Sequence, residues 1–244
     1  MEEPPLPAAA PSPARTGFMA GARVAAGTPA LVLAASYVGF GGFVRDSGLG
    51  LDLALVSTLT AWALPGQIVM VELHVAGAPL IAVALAVALA NLRLAPMSTV
   101  MMPVVAREGR PAWRLYAAAH WIAVTGWALT MLHGQARPRE ERLAWFMGCV
   151  LTLWAGSLIG CVVGHLAAGM LPRPVSLALV FLNPVYFMLL CLQDLRDRQR
   201  ALSVLTGAGA CVALHPLVPE WSLLLAGLGG GTAGFLLARA RPRP

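Results

Sequence analysis

Arg93 stands between the runs PLIAVALAVALAN and LAPMSTVMMPVVA, with more than ten mostly apolar residues on either side. A guanidinium at the centre of a membrane helix costs about 2.5–3.5 kcal/mol on insertion scales, so it must face protein, water or an anion. Three roles satisfy that demand. Arg93 could bind a substrate carboxylate or gate its passage. It could cap the carbonyls freed around Pro96, or snorkel at a turn between two half-spans. Gln67 follows Pro65–Gly66, where a helix break brings freed backbone groups beside a side-chain amide. That amide either takes the amino group of a zwitterion through its oxygen or bonds a neighbouring helix. With Gly66, Gln67, Asn91 and Arg93, Thr125 and Asn183 complete the expected substrate-binding set, and Pro65, Pro96 and Pro184 the expected helix breaks or gates. His120 could couple protons to transport, or serve as a hydrogen-bonded packing residue.

Other chemistries fit poorly. Ser157 and His165 are eight residues apart on one expected helix, about 12 Å in rise, too far for a nucleophile and its base. No hydrolase motif surrounds Ser157, and no catalytic residue is expected. Cys149, Cys161, Cys191 and Cys211 all sit in apolar stretches without a disulfide or CxxC pattern, so they read as small buried hydrophobes. No metal set, nucleotide-binding motif or cofactor is expected.

The elements that carry these residues are read from apolar density. Of 244 residues, 58% are hydrophobic and only 11% charged, too little charge to cover a soluble domain. A span needs about 20 apolar residues, so the chain has room for roughly seven or eight. The candidates lie near Val24–Val44, Leu53–Glu72, Pro79–Ala106, Trp113–Leu132, Leu143–Leu171, Val175–Gln193, Ala201–Val218 and Trp221–Ala238. The seventh is short and ends at His215–Pro216, and would be re-entrant if the chain has seven spans. Helices are expected because lipid leaves no open backbone group satisfied and no alternating barrel strands occur. The expected fold is therefore an all-α, polytopic integral membrane protein with several broken helices. Trp113, Trp145, Trp154 and Trp221 fall near span ends, where tryptophan anchors at interfaces.

Residues 1–17 are rich in Pro and Ala and are expected to form a disordered cytoplasmic tail, followed by a single transmembrane domain over 18–240. Glu2, Glu3 and the prolines distinguish the tail from a signal peptide. All seventeen basic residues are Arg. With eight spans and the N-terminus inside, eleven of them fall in cytoplasmic segments and five outside, so both termini are placed inside. The pI of 9.9 then reflects orientation in the membrane. Scattered over short loops, the arginines form no face for nucleic acid. Broken spans often build midplane sites at matching positions of two repeats. The stretches ALANLRLAPMSTVMMPVVAREGR and LVFLNPVYFMLLCLQDLRDRQR share an Asn, a nearby Pro and a charged exit, an order that admits an inverted repeat without establishing one.

Several of these elements occur in a recognisable order. Pro29 in the first span is followed by Gly48–Leu49, Gly66–Gln67, Gly77–Ala78–Pro79 and Asn91–Leu92–Arg93, and later by PVSLALVFLNPVYFMLL and a glycine-rich last span. In this the chain resembles the AzlC family, large subunits of bacterial branched-chain amino acid exporters, over most of its length beyond the tail. The resemblance implies a secondary transporter in the bacterial cytoplasmic (inner) membrane. It would export branched-chain or other apolar amino acids by alternating access, with a small AzlD-like membrane subunit as partner. It also carries over Gln67, Asn91 and Arg93. Two departures stand out. Where the family usually places an acidic pair in the fourth span after Thr, this chain has Ala123–Val124–Thr125. Where an Asp commonly precedes the sixth-span Phe, Val180 precedes Phe181. The chain thus reads as a diverged member, and a different solute or a non-transporting assembly or regulatory subunit are its other readings.

Overall fold

The computed structural model describes residues 12–106, 111–170, 172–194, 198–218, 222 and 225–240, except for the side chains of 173, 176, 183, 186, 187, 190–194, 198–200, 239 and 240. Among the described residues the chain is all-helical, without strands. In chain order the helices are α1 (Pro13–Ala25), α2 (Thr28–Asp46), α3 (Leu51–Thr60), α4 (Leu64–Val75), α5 (Leu80–Asn91), α6 (Leu94–Val105), α7 (Trp113–Ala119), α8 (Val124–Leu129), α9 (Arg139–Ala167), α10 (Arg173–Asp194), α11 (Arg198–Leu214) and α12 (Gly231–Ala240). A π turn, Thr130–Gly134, continues α8, and another, Ala226–Gly230, leads into α12.

By length and composition, α9 alone among the described residues is long and apolar enough to cross a membrane. Three bent pairs would raise the number to four, namely α1 with α2 at 60°, α5 with α6 at 48°, and α7 with the α8 segment at 118°. The bend between α5 and α6 has a direct cause. Pro96 offers no N–H to the Leu92 carbonyl and its ring crowds it; the Ala95 N–H takes that carbonyl instead, at 3.0 Å. Pro65 acts the same way on the turn before it. The break therefore falls at 61–63, and Pro65–Gly66 occupies the first turn of α4 rather than the break itself. At Pro184 the expectation fails, because α10 runs through it as one helix. A second correction concerns the tail. Helix α1 begins at Pro13, placed in its first turn, where a missing N–H costs nothing.

The chain divides into two compact units, Met1–Asn183 and Pro184–Pro244. The first is built around α9, which packs along α1 and α2 with backbone nearly touching backbone. A Cβ at Gly21 would collide with the Trp145 carbonyl, and one at Gly148 with that of Phe18. Gly160 and Gly164 receive the Ala34 and Val38 carbonyls in the same way. Without a hydrophobic drive between helices in lipid, such close approach supplies the dispersion energy that holds them. The same close packing includes the start of α1, whose Gly17 sits against Glu141 of α9, while residues 1–11 of the expected tail lie outside the described residues. Trp145 is fully buried here and Trp154 bonds across to α3, so neither is the interface anchor expected of it. Trp113, 64% exposed, is free to anchor, while Trp221 lies outside the described residues.

In the second unit, α11 and α12 pack equally closely. Gly230 and Gly234 sit against Gly207, Leu202 and Ser203, and the Thr206 hydroxyl lies 2.7 Å from both the Leu202 and Gly230 carbonyls. Thr206 thus occupies a carbonyl in the π turn ahead of α12.

Candidate functional site

The break between α3 and α4 frees carbonyls at the end of one helix and presents side chains from the start of the next. Gln67, in the first turn of α4, is 1% exposed, and both ends of its amide are bonded. Its Oε1 accepts from the Tyr37 hydroxyl of α2 at 2.7 Å. Its Nε2 donates to Ser57 Oγ and Thr58 Oγ1 of α3, each at 3.0 Å. Those two hydroxyls send their own protons back to the Ala54 carbonyl, at 3.0 and 2.8 Å. Proton direction is therefore fixed along the whole chain, from Tyr37 to Gln67 and from Gln67 through Ser57 and Thr58 to the backbone. Gln67 ties α2, α3 and α4 together, which is the second of the two roles its sequence context allowed.

Helix α9 closes the break from the other side. In an unbroken helix the Thr58 carbonyl would accept from the N–H of Trp62; here it accepts from the Trp154 indole of α9 at 3.2 Å. Trp62, within the break, returns the contact by donating to Ser157 Oγ at 3.1 Å. Ser157 in turn donates to the Leu153 carbonyl at 3.0 Å, so its proton is committed to the backbone. The Cys161 thiol adjoins the Thr58 hydroxyl one turn further on. Trp121, at the α7–α8 break, meets Trp154 edge to face with centroids 4.9 Å apart, and His120 meets Trp121 at 5.5 Å.

Asn91 reaches the same break from α5. Its amide packs on Gly66, where a Cβ would stand 2.7 Å from both the amide nitrogen and oxygen, so a larger residue there would displace the Asn91 amide. The Asn91 Oδ1 is buried and accepts no hydrogen bond among the described residues. In a low-dielectric setting such an orphan is costly, which makes it a notable acceptor. Arg93 sits two residues on, at the start of α6, exposed and without a hydrogen bond or ion pair among the described residues. It caps no carbonyl, so the structural-cap role considered for it finds no support among those residues.

The structure thus brings Gly66, Gln67 and Asn91 together and leaves Arg93 just outside. Thr125 is buried in the first turn of α8, with no hydrogen bond to the Gln67 cluster among the described residues. His120 is exposed at the end of α7. Pro184 is exposed on α10, and the side chain of Asn183 lies outside the described residues. Val180 packs against the apolar core. Tyr37, Ser57 and Thr58 were missed as partners of Gln67, and Trp62 and Trp154 as braces of the break. Adjacent Ser57–Thr58 before a proline break was a usable signal; the Tyr37 and Trp154 pairings, 30 and 96 residues apart, carried none. Another missed cation is Arg142, whose guanidinium donates to the Arg137, Gln135 and Val104 carbonyls at 2.9, 2.7 and 3.4 Å.

Broken apolar helices around a buried polar hub are the construction of a membrane transport protein. The family model described as AzlC protein matches residues 29–171, from the start of α2 to just beyond α9. The chain belongs to the AzlC family, which is associated with membrane transport. No curated protein and no solved structure matches the chain.

Proposed function

We infer that this protein is a polytopic subunit of the bacterial cytoplasmic membrane, with its N-terminus inside. It exports branched-chain or other apolar amino acids by alternating access, together with a small AzlD-like membrane subunit. The observation that carries the reading is the unpaired, buried Oδ1 of Asn91 against Gly66, two residues from an exposed arginine. Arg93 binds the substrate carboxylate, and Asn91 Oδ1, buried on Gly66 in this packing, takes the ammonium once α5 shifts on α4 during alternating access. Leucines of α5 would face the aliphatic side chain. Gln67 acts behind them, holding the α3–α4 break so that Gly66 and Asn91 stay in register. Thr125 and Asn183 have no assigned place in this site. His120, exposed at the α7–α8 break, is the proposed proton-coupling residue.

Efflux of labelled amino acids from preloaded cells, with and without the chain and a small partner subunit, tests the proposal. Arg93→Gln and Asn91→Leu should each abolish efflux of one apolar class while insertion is unchanged; His120→Gln should flatten its pH dependence. Intact efflux in Arg93→Gln would remove Arg93 from the site. A non-transporting assembly subunit is the second reading. It is favoured by Val124, Thr125 and Val180 standing where the family resemblance leads one to expect acids, and absence of efflux for any amino acid with the partner present would establish it.

A further inference from the structure

Arg93 is the only charged residue between Glu72 and Arg107. It lies near the middle of the stretch Leu80–Val105 covered by α5 and α6. Depth is fixed a second way, because Asn91 packs on Gly66, near the middle of the stretch covered by α3 and α4. From Arg93 to either end of Leu80–Val105 is roughly 18–20 Å of helix, and from Gly66 to the nearer end of its stretch roughly 14 Å, beyond what a snorkelling arginine spans. Arg93 nevertheless faces outward, continuing a stripe of Ile81, Leu85, Leu89 and Leu92 at helical spacing, each at least half exposed. Lipid accounts for the leucines and leaves the guanidinium unexplained.

The described part of this unit holds nothing that could neutralise it. Asp46 ends α2, Asp52 begins α3, Glu72 lies in the last turn of α4, and Glu140 and Glu141 begin α9. Every one of these acids is at the end of an element, away from the depth of Arg93. A second copy packed through this same face would bring another arginine opposite Arg93 and no acid.

We propose that the α5–α6 face bearing Leu85, Leu89, Leu92 and Arg93 docks a transmembrane helix of a second, different membrane polypeptide, one that is apolar except for an Asp or Glu carboxylate at mid-depth. This rests on the membrane-transport reading and deepens it by naming the counter-ion of the empty site. The partner's carboxylate and that of the substrate compete for one guanidinium, so the partner closes the site between transport events.

The test uses the purified full chain in phosphatidylcholine vesicles at pH 8. Its probes are two fluorescent synthetic Leu/Ala transmembrane peptides, one with a single mid-span Glu and its twin with Gln. Energy transfer should report at least tenfold tighter association of the Glu peptide. Arg93→Gln should abolish the difference, and Arg93→Lys should keep part of it. Equal association of the two peptides, or a preference that survives Arg93→Gln, overturns the proposal. Efflux fails separately. Arg93→Gln that keeps efflux but loses the Glu preference removes the substrate role and leaves the docking face standing. Arg93-dependent efflux without peptide discrimination leaves transport standing and removes the docking face.

Discussion

Gln67 and Tyr37 offer a test of whether the α3–α4 break is held by the hydrogen bonds found there. Tyr37→Phe removes one donor from Gln67 Oε1 and leaves an amide oxygen buried without a partner. In water-soluble proteins such an orphan costs about 1–3 kcal/mol, but interhelical bonds in membranes average about 0.6 kcal/mol, so about 1 kcal/mol is expected. Gln67→Leu strands the Tyr37 hydroxyl in the same way. Ser57 and Thr58 lose only an incoming bond, because their protons remain on the Ala54 carbonyl. The expected cost is about 2 kcal/mol, half of it from the Tyr37 end. In the double variant the Tyr37 end is counted once, so the pair should fall about 1 kcal/mol short of the sum of the singles. Unfolding in mixed detergent micelles, followed by tryptophan fluorescence, measures all four corners of this cycle. Additive effects of the two substitutions would show that the Tyr37–Gln67 bond contributes nothing and would refute Gln67 as the hub.

The indoles that brace the break should differ in weight. Trp154→Phe leaves the Thr58 carbonyl unpaired and is expected to cost about 1–2 kcal/mol; Trp62→Phe should cost less, since Ser157 keeps its bond to Leu153. The same micelle assay ranks them. Along α9, Gly160→Ala and Gly164→Ala should each destabilise by about 1–3 kcal/mol, because each Cβ would strike a carbonyl of α2. Gly156→Ala should be tolerated within about 0.5 kcal/mol, since its nearest neighbours stand at 3.9 Å; thermal unfolding of the three variants reads the contrast. Arg142→Gln removes donors from three carbonyls around the turn before α9, and limited proteolysis should show that turn opening while α9 stays protected.

Apolar density and the absence of alternating strands were enough to read an all-helical chain with broken apolar helices, because those properties depend on composition and on local backbone chemistry. The order of small residues and prolines carried the family, and Gly66, Gln67 and Asn91 were legible as neighbours of helix breaks. Where a break falls was less legible: proline disrupts the turn before it, which moved the α3–α4 break ahead of Pro65, while Pro184 remained inside a helix supported by its neighbouring turns. Partnership was not legible at all. Gln67 could have met a substrate or a helix, and only the packing of α2 and α3 against α4, through Tyr37, Ser57 and Thr58, filled its amide. Arg93 could have turned inward or outward, and the register of α5 on α4 sent Asn91 onto Gly66 and left the arginine outside. A sequence specifies which side chains are costly to bury; which of them find a partner is settled by helix rotation and register, set by contacts between residues far apart in the chain.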